Sequence, residues 1–209
     1  MISKRRYEKW MLWPCPIVPR AMSDSLGLEP GAVRLVEYDS RWPMLFTAEE
    51  QRIRAHCGTL SLRLEHIGGT SIPGMCSKPV LDLAGGRPPG TSIHDYVVAL
   101  QLAGYEHRGE RGVSGREFFC RGEPRAYHLH LVEEDSALWC DYIALREHLR
   151  AHAETARRFA DLKWVLAAHF SDDREAYMNA KSSHVGEILR LAKIAASGGN
   201  TPGAPDESR

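Results

Sequence analysis

The chain has 209 residues, 43% hydrophobic and 26% charged, which is enough for one globular domain with a proper core. Lys plus Arg and Asp plus Glu each number 27, so the net charge is zero at pH 7. This argues against a protein devoted to wrapping nucleic acid, which carries a marked basic excess.

Residues 1–21 begin with Lys4, Arg5, Arg6 and Lys9, followed by a short apolar patch at 10–13 and then Pro14, Pro16 and Pro19. The patch is too short and too interrupted for a secretory signal or a membrane helix of about twenty residues. Met22 opens Met-Ser-Asp-Ser, so the expectation for 1–21 is a disordered or artefactual extension, with translation starting at Met22. Residues 33–37 read as a short extended run. A helix is predicted over 41–56, with Ser40 as its N-cap and Gly58 just past its end. Strands at 60–67 and 80–83 flank a glycine-rich segment. A second helix covers 92–103, where Ser92 and Asp95 resemble a capping pair and Gly104 stops it. Strands follow at 105–108, 116–120 and 126–132, the last two joined by a turn at Gly122-Glu123-Pro124. Apolar residues at three- and four-residue intervals then predict helices at 137–151, 154–168 and 174–196, the last capped by Asp172. Residues 197–209 are rich in Gly, Pro, Asn, Asp and Ser and should be disordered. No internal repeat is visible. The fold class is therefore α+β, a mixed sheet core with a C-terminal helical subdomain.

Chemistry concentrates in Glu65-His66-Ile67-Gly68-Gly69-Thr70-Ser71-Ile72-Pro73-Gly74, followed by Lys78-Pro79-Val80-Leu81-Asp82-Leu83. Glycine lets a backbone approach an anion and turn its N–H groups outward. Lysine supplies a mobile positive charge, and an aspartate on a strand can hold a divalent metal. The segment thus reads as a phosphate-and-metal site, with Gly68, Gly69, Thr70, Ser71 and Lys78 on the phosphates and Asp82 on the metal. It is neither a Walker loop nor a dinucleotide fingerprint, because Pro73 and Pro79 discourage a long helix after the glycines. The competing interpretation is an ordinary turn between two strands. The site interpretation requires the glycine turn and Asp82 to open onto one cleft.

Other residues extend the site. His128 and His130 lie two apart in a predicted strand, so both imidazoles project from one face and suit zinc, iron or manganese; the alternative is a half-solvated sheet face. Glu65, at the strand end beside the turn, is a second carboxylate candidate, or else an ion-paired surface group. Arg116, after Gly115, can clamp a phosphate or carboxylate, or stand exposed. The five cysteines (Cys15, Cys57, Cys76, Cys120, Cys140) are odd in number and lack Cys-x-x-Cys spacing. That indicates neither a disulfide framework nor a zinc knuckle and fits reduced thiols in a cytoplasm. Cys76 lies inside the glycine-to-Asp82 segment, but no nearby pattern activates it.

The stretch from Glu65 to Gly74 with Lys78-Pro79-Val80-Leu81-Asp82 resembles the signature of the GrpB family, within the nucleotidyltransferase superfamily. Tyr38-Asp39 with Trp42, Gly104-Tyr105, Gly115-Arg116, Tyr127-His128-Leu129-His130, Arg150-Ala151-His152, Leu162-Lys163, and Tyr177 with Lys181 fall in the family's order. The resemblance covers residues 32–195. It implies a nucleotidyltransferase-like core binding a nucleotide and a divalent metal (magnesium or manganese, with zinc or iron through the histidine pair). It also implies that Lys163, Tyr177 and Lys181 reach the cleft, with Lys181 on the phosphates; the alternative is Tyr177 as packing and Lys181 as an ordinary surface group. One departure from the family stands out: Gly69 replaces a serine usual there. Position 84 is alanine, where two-metal chemistry wants an acid at the alternate strand position to Asp82, an acid the family too commonly lacks.

Three functions compete: a catalyst transferring a nucleotidyl or phosphoryl group to a small acceptor through Asp82, Glu65 and Arg116; a nucleotide-binding module without catalysis; and a metal enzyme of another class using Asp82, His128 and His130. The expected partners are a nucleotide and a small-molecule acceptor. No membrane segment is expected, and oligomeric state is not legible.

Overall fold

The computed structural model describes residues 26–29 and 31–198. The extension expected over 1–21 and the part of the expected tail beyond 198 lie outside the described residues. Five strands, β1 (Arg63–Ile67), β2 (Leu81–Arg87), β3 (Glu106–His107), β4 (Glu117–Arg121) and β5 (Tyr127–Glu133), form one mixed sheet in the order β1-β2-β5-β4-β3. β2 and β5 run parallel, with Asp82 beside His128; the other neighbours are antiparallel.

Side chains alternate across a strand, so the sheet has two faces of different character. On one, Leu64, Leu81, Leu83, Phe119, Leu129 and Leu131 pack against Trp42 and Ile53 of α1 (Trp42–Cys57) and Tyr96 and Leu100 of α2 (Ile93–Leu102). The other carries Asp82, His128 and His130. At one end of that second face, Trp139 of α3 (Ala137–Ala151) closes over Ile67, Ala84 and Val132. α4 (Ala153–His169) and α5 (Arg174–Gly198) complete the helical subdomain. Leu149, Phe159 and Ile188 from these helices pack onto Ile72 and Met75, just after the glycine turn. The architecture is the α+β core with a C-terminal helical subdomain that the periodicities predict. Among the described residues no helix is long and apolar enough to cross a membrane.

Several boundaries differ from expectation. Arg41, not Ser40, occupies the N-cap position of α1, and Asp39 organises the entry by accepting from the Arg41 backbone N–H at 2.8 Å and from its guanidinium at 2.6 Å. Pro43 sits in the first turn, where its missing N–H costs no bond. β2 continues to Arg87 through Gly85 and Gly86, residues of low strand propensity. Pairing with β1 and β5 on both sides holds them extended, and Trp139 lies so close that a methyl group at Gly86 would stand 2.9 Å from its ring. Ser92 makes no side-chain cap on α2. Asp173 rather than Asp172 caps α5, accepting from Ala176 N at 2.9 Å, and the helix runs two residues past the expected end at 196.

Candidate functional site

Leaving β1, the chain turns at Gly68, whose φ of 70° lies in the left-handed region that side chains rarely adopt. Gly69–Ser71 then form a single 3-10 turn, whose leading N–H groups have no partner within it. Asp82 lies against this bend, because a methyl group at Gly68 would sit 2.6 Å from Asp82 Oδ2. One added at Gly69 would overlap Ser77 Oγ and stand 2.9 Å from Lys163 Nζ. Asp82 and Lys163 therefore stand directly against the glycine turn, and only glycine fits beside them.

The hydroxyls of the turn face elsewhere. Thr70 is fully buried, with its Oγ1 2.9 Å from His66 Nε2, and His66 in turn stacks on Phe46 of α1. Ser71 Oγ donates to Gly68 O at 2.7 Å. Both side chains rigidify the turn. Arg150 braces the turn from behind by donating to Ser71 O at 2.8 Å. Glu65 shares the face of Asp82, but its carboxylate is held by Arg146 at 2.7 Å and by Arg63 at 3.3 Å. It ties α3 to the sheet instead of reaching Asp82.

His128 Nδ1 donates to Asp82 Oδ1 at 3.0 Å, and His130 Nε2 stands 3.7 Å from the same oxygen. Burial opposes ionisation, yet the hydrogen bond from His128 and the adjacent His130 ring hold the Asp82 carboxyl well below the usual carboxylate range. Burial also pushes the His128 imidazole down, so the ring is neutral and its Nε2 is a bare acceptor. That atom is buried and without a hydrogen-bond partner. Arg116 Nη1 lies 3.3 Å from His130 Nδ1, and its guanidinium is anchored on the carbonyls of Glu110 and Arg111 above the Phe118 ring.

The helical subdomain supplies the charge. The Lys78 and Lys181 ammonium groups lie 5.9 and 5.7 Å from the centre of the Tyr177 ring, which is buried in the core. Lys163 is 4% exposed and donates to Cys76 O, in the segment that follows the turn. Burial lowers the pKa of Lys78 to about 7, with Lys181, Arg174 and Lys163 pushing the same way and Asp82 opposing. Burial likewise lowers Lys163 to about 8 and depresses Lys181 and Arg174, and in all three Asp82 pulls upward. Lys78, Lys163, Lys181 and Arg174 thus all feel the charge of one carboxylate, whose side chain is 30% accessible. They repel one another, and an anion placed among them relieves that repulsion.

The donor set does not suit a pair of metal ions. Ala84 occupies the second acid position, buried beneath Trp139. Asp82 is hydrogen-bonded to His128 with His130 close by, and among the described residues no group of three His, Cys, Asp or Glu is placed to hold a metal ion. Sequence reasoning overlooked Arg174 and left Lys163 at the margin. Both carried a signal. Lys163 interrupts the apolar stripe of Phe159 and Ala167 on α4, and Arg174 is a cation in the first turn of a helix, where the macrodipole disfavours one.

The family model described as GrpB protein matches residues 32–191. A UPF0157 protein of Pseudomonas aeruginosa is 34% identical over 168 residues, which is 78% of this chain and 69% of that one. A UPF0157 protein of Bacillus subtilis is 30% identical over 77% of this chain, and the chain spans about half of that relative's length, 47%. The crystal structure of conserved protein GrpB from Enterococcus faecalis superposes with a TM-score of 0.71 at 28% identity, covering 78% of this chain and 99% of that one. With its glycine turn, Asp82 and lysine cluster inside the matched segment, the chain belongs to the GrpB family.

Proposed function

We propose that the cleft binds the phosphate groups of a nucleotide and transfers a nucleotidyl or phosphoryl group to a small acceptor. The observation that carries this reading is the Lys163 ammonium group against the Gly69 backbone, with Asp82 against Gly68 and with Lys78 and Lys181 both on the Tyr177 ring. Phosphoryl transfer is mostly positioning and charge stabilisation, which ammonium and guanidinium groups supply. The acceptor oxygen attacks phosphorus, and the phosphate that leaves carries the electron pair of the broken P–O bond toward the lysines. The acceptor's proton is released to water, while His128 Nδ1 holds the Asp82 carboxylate in place. A second reading, binding without transfer, is favoured by Ala84.

Calorimetry with ATP, GTP, CTP and UTP tests the binding. Lys78→Ala and Lys181→Ala should each weaken the best-bound nucleotide about tenfold or more, the usual worth of a charge-assisted hydrogen bond. Asp82→Asn should abolish pyrophosphate or phosphate release with the fold intact. Nucleotides that bind both lysine variants as tightly as the parent protein would place the site elsewhere.

A further inference from the structure

Nucleotidyl transfer ordinarily presents its triphosphate to the protein as a metal complex, held by paired carboxylates. This cleft is built differently. Among the described residues its one reachable carboxylate, Asp82, is engaged through Oδ1 by His128 at 3.0 Å and approached by His130 at 3.7 Å, while Oδ2 packs against Gly68. The alternate strand position is Ala84, covered by Trp139, and Glu65, the other acid on the face, is bound to Arg146 and Arg63. Lys163 of α4 lies against Gly69, Lys78 before β2 and Lys181 of α5 both lie on the Tyr177 ring, and Arg174 of α5 feels the same carboxylate. A divalent cation entering here meets an excess of positive charge and finds one shared oxygen ligand. A bare oligophosphate meets ammonium groups and a glycine backbone, with no anion in its way except Asp82.

From this we propose, resting on the phosphate-binding reading above, that the ligand taken up is a metal-free di- or triphosphate, with the lysine cluster doing the neutralising that a metal pair does in two-metal phosphoryl transfer. Asp82 then acts in binding as a fixed negative charge and not as a metal ligand. The sign of its removal follows. Neutralising a metal ligand weakens phosphate binding, whereas neutralising a lone anion in a cationic cleft strengthens it.

The test is calorimetry of the full chain with pyrophosphate and with ATP, in EDTA and in excess magnesium, for the parent protein, Asp82→Asn and Lys181→Gln. The expected result is binding in EDTA at least as tight as in magnesium, a severalfold gain for Asp82→Asn and a loss of tenfold or more for Lys181→Gln. Binding that requires magnesium, or that Asp82→Asn weakens, overturns the inference while leaving phosphate recognition standing. Failure of pyrophosphate and ATP to bind in either condition removes the phosphate-binding reading and this inference together.

Discussion

Gly68 is the residue on which the cleft's geometry turns. Its φ of 70° and the 2.6 Å that would separate an added methyl group from Asp82 Oδ2 mean that Gly68→Ala must either unbend the turn or displace the acid. A substitution at such a backbone position costs on the order of 1–3 kcal/mol. We expect Gly68→Ala to lower the urea midpoint and to abolish nucleotide binding, with a change confined to stability counting against the turn as a ligand cradle. Lys78 illustrates how burial makes a residue responsive to pH. With its pKa lowered to about 7, the amine is substantially neutral above that pH, and a phosphate must bring the proton back. Nucleotide affinity should therefore fall between pH 7 and about 9, and calorimetry in buffers of different ionisation enthalpy should register proton uptake on binding. Arg116 and Glu65 show that a shared face is not a shared site. Arg116 reaches the cleft's edge through His130, whereas Glu65 commits its charge to Arg146 and Arg63.

At the level of elements, local pattern is a good guide where the physics is local. The spacing of two between His128 and His130 places both rings on one face of β5, and the 3.6-residue period locates α3 within 137–151 as observed. Capping is less legible, because Asp39 and Asp173 outcompete Ser40 and Asp172 through contacts that depend on how the chain enters each helix. The strand expected at 80–83 stops short of the observed end at Arg87 because Gly85 and Gly86 lack strand propensity. Their place in the sheet follows from two flanking strands and a tryptophan. That tryptophan joins the sheet to the helices. Trp139 is 3% exposed and packs on Ile67, Ala84 and Val132. Trp139→Ala should cost about 3–5 kcal/mol, read as a lowered thermal midpoint, together with weaker nucleotide binding as α3 loosens. Full binding at a much reduced midpoint would show that the subdomain does not position the site.

Taken whole, the protein stores electrostatic stress between its sheet and its helical subdomain. Lys78 and Lys163, with pKa values of about 7 and 8 against an unfolded value near 10.4, are less protonated folded than unfolded across the interval above pH 7. The unfolded chain binds more protons there, so folding stability should rise with pH from about 7 to about 10 in the ligand-free protein. Saturating pyrophosphate should flatten that rise, because it favours the protonated lysines; parallel urea titrations across the interval check both. The sequence by itself determined the strand and helix alternation, the glycine bend before Asp82 and the shared face of the two histidines, because each follows from neighbours within a few residues along the chain. Only the tertiary structure decided that β5 lies parallel beside β2, that Glu65 is committed elsewhere, and that Lys78, Lys163, Arg174 and Lys181 come within electrostatic reach of Asp82. Convergence of that kind depends on non-local pairing and on desolvation, and neither is carried by residue spacing.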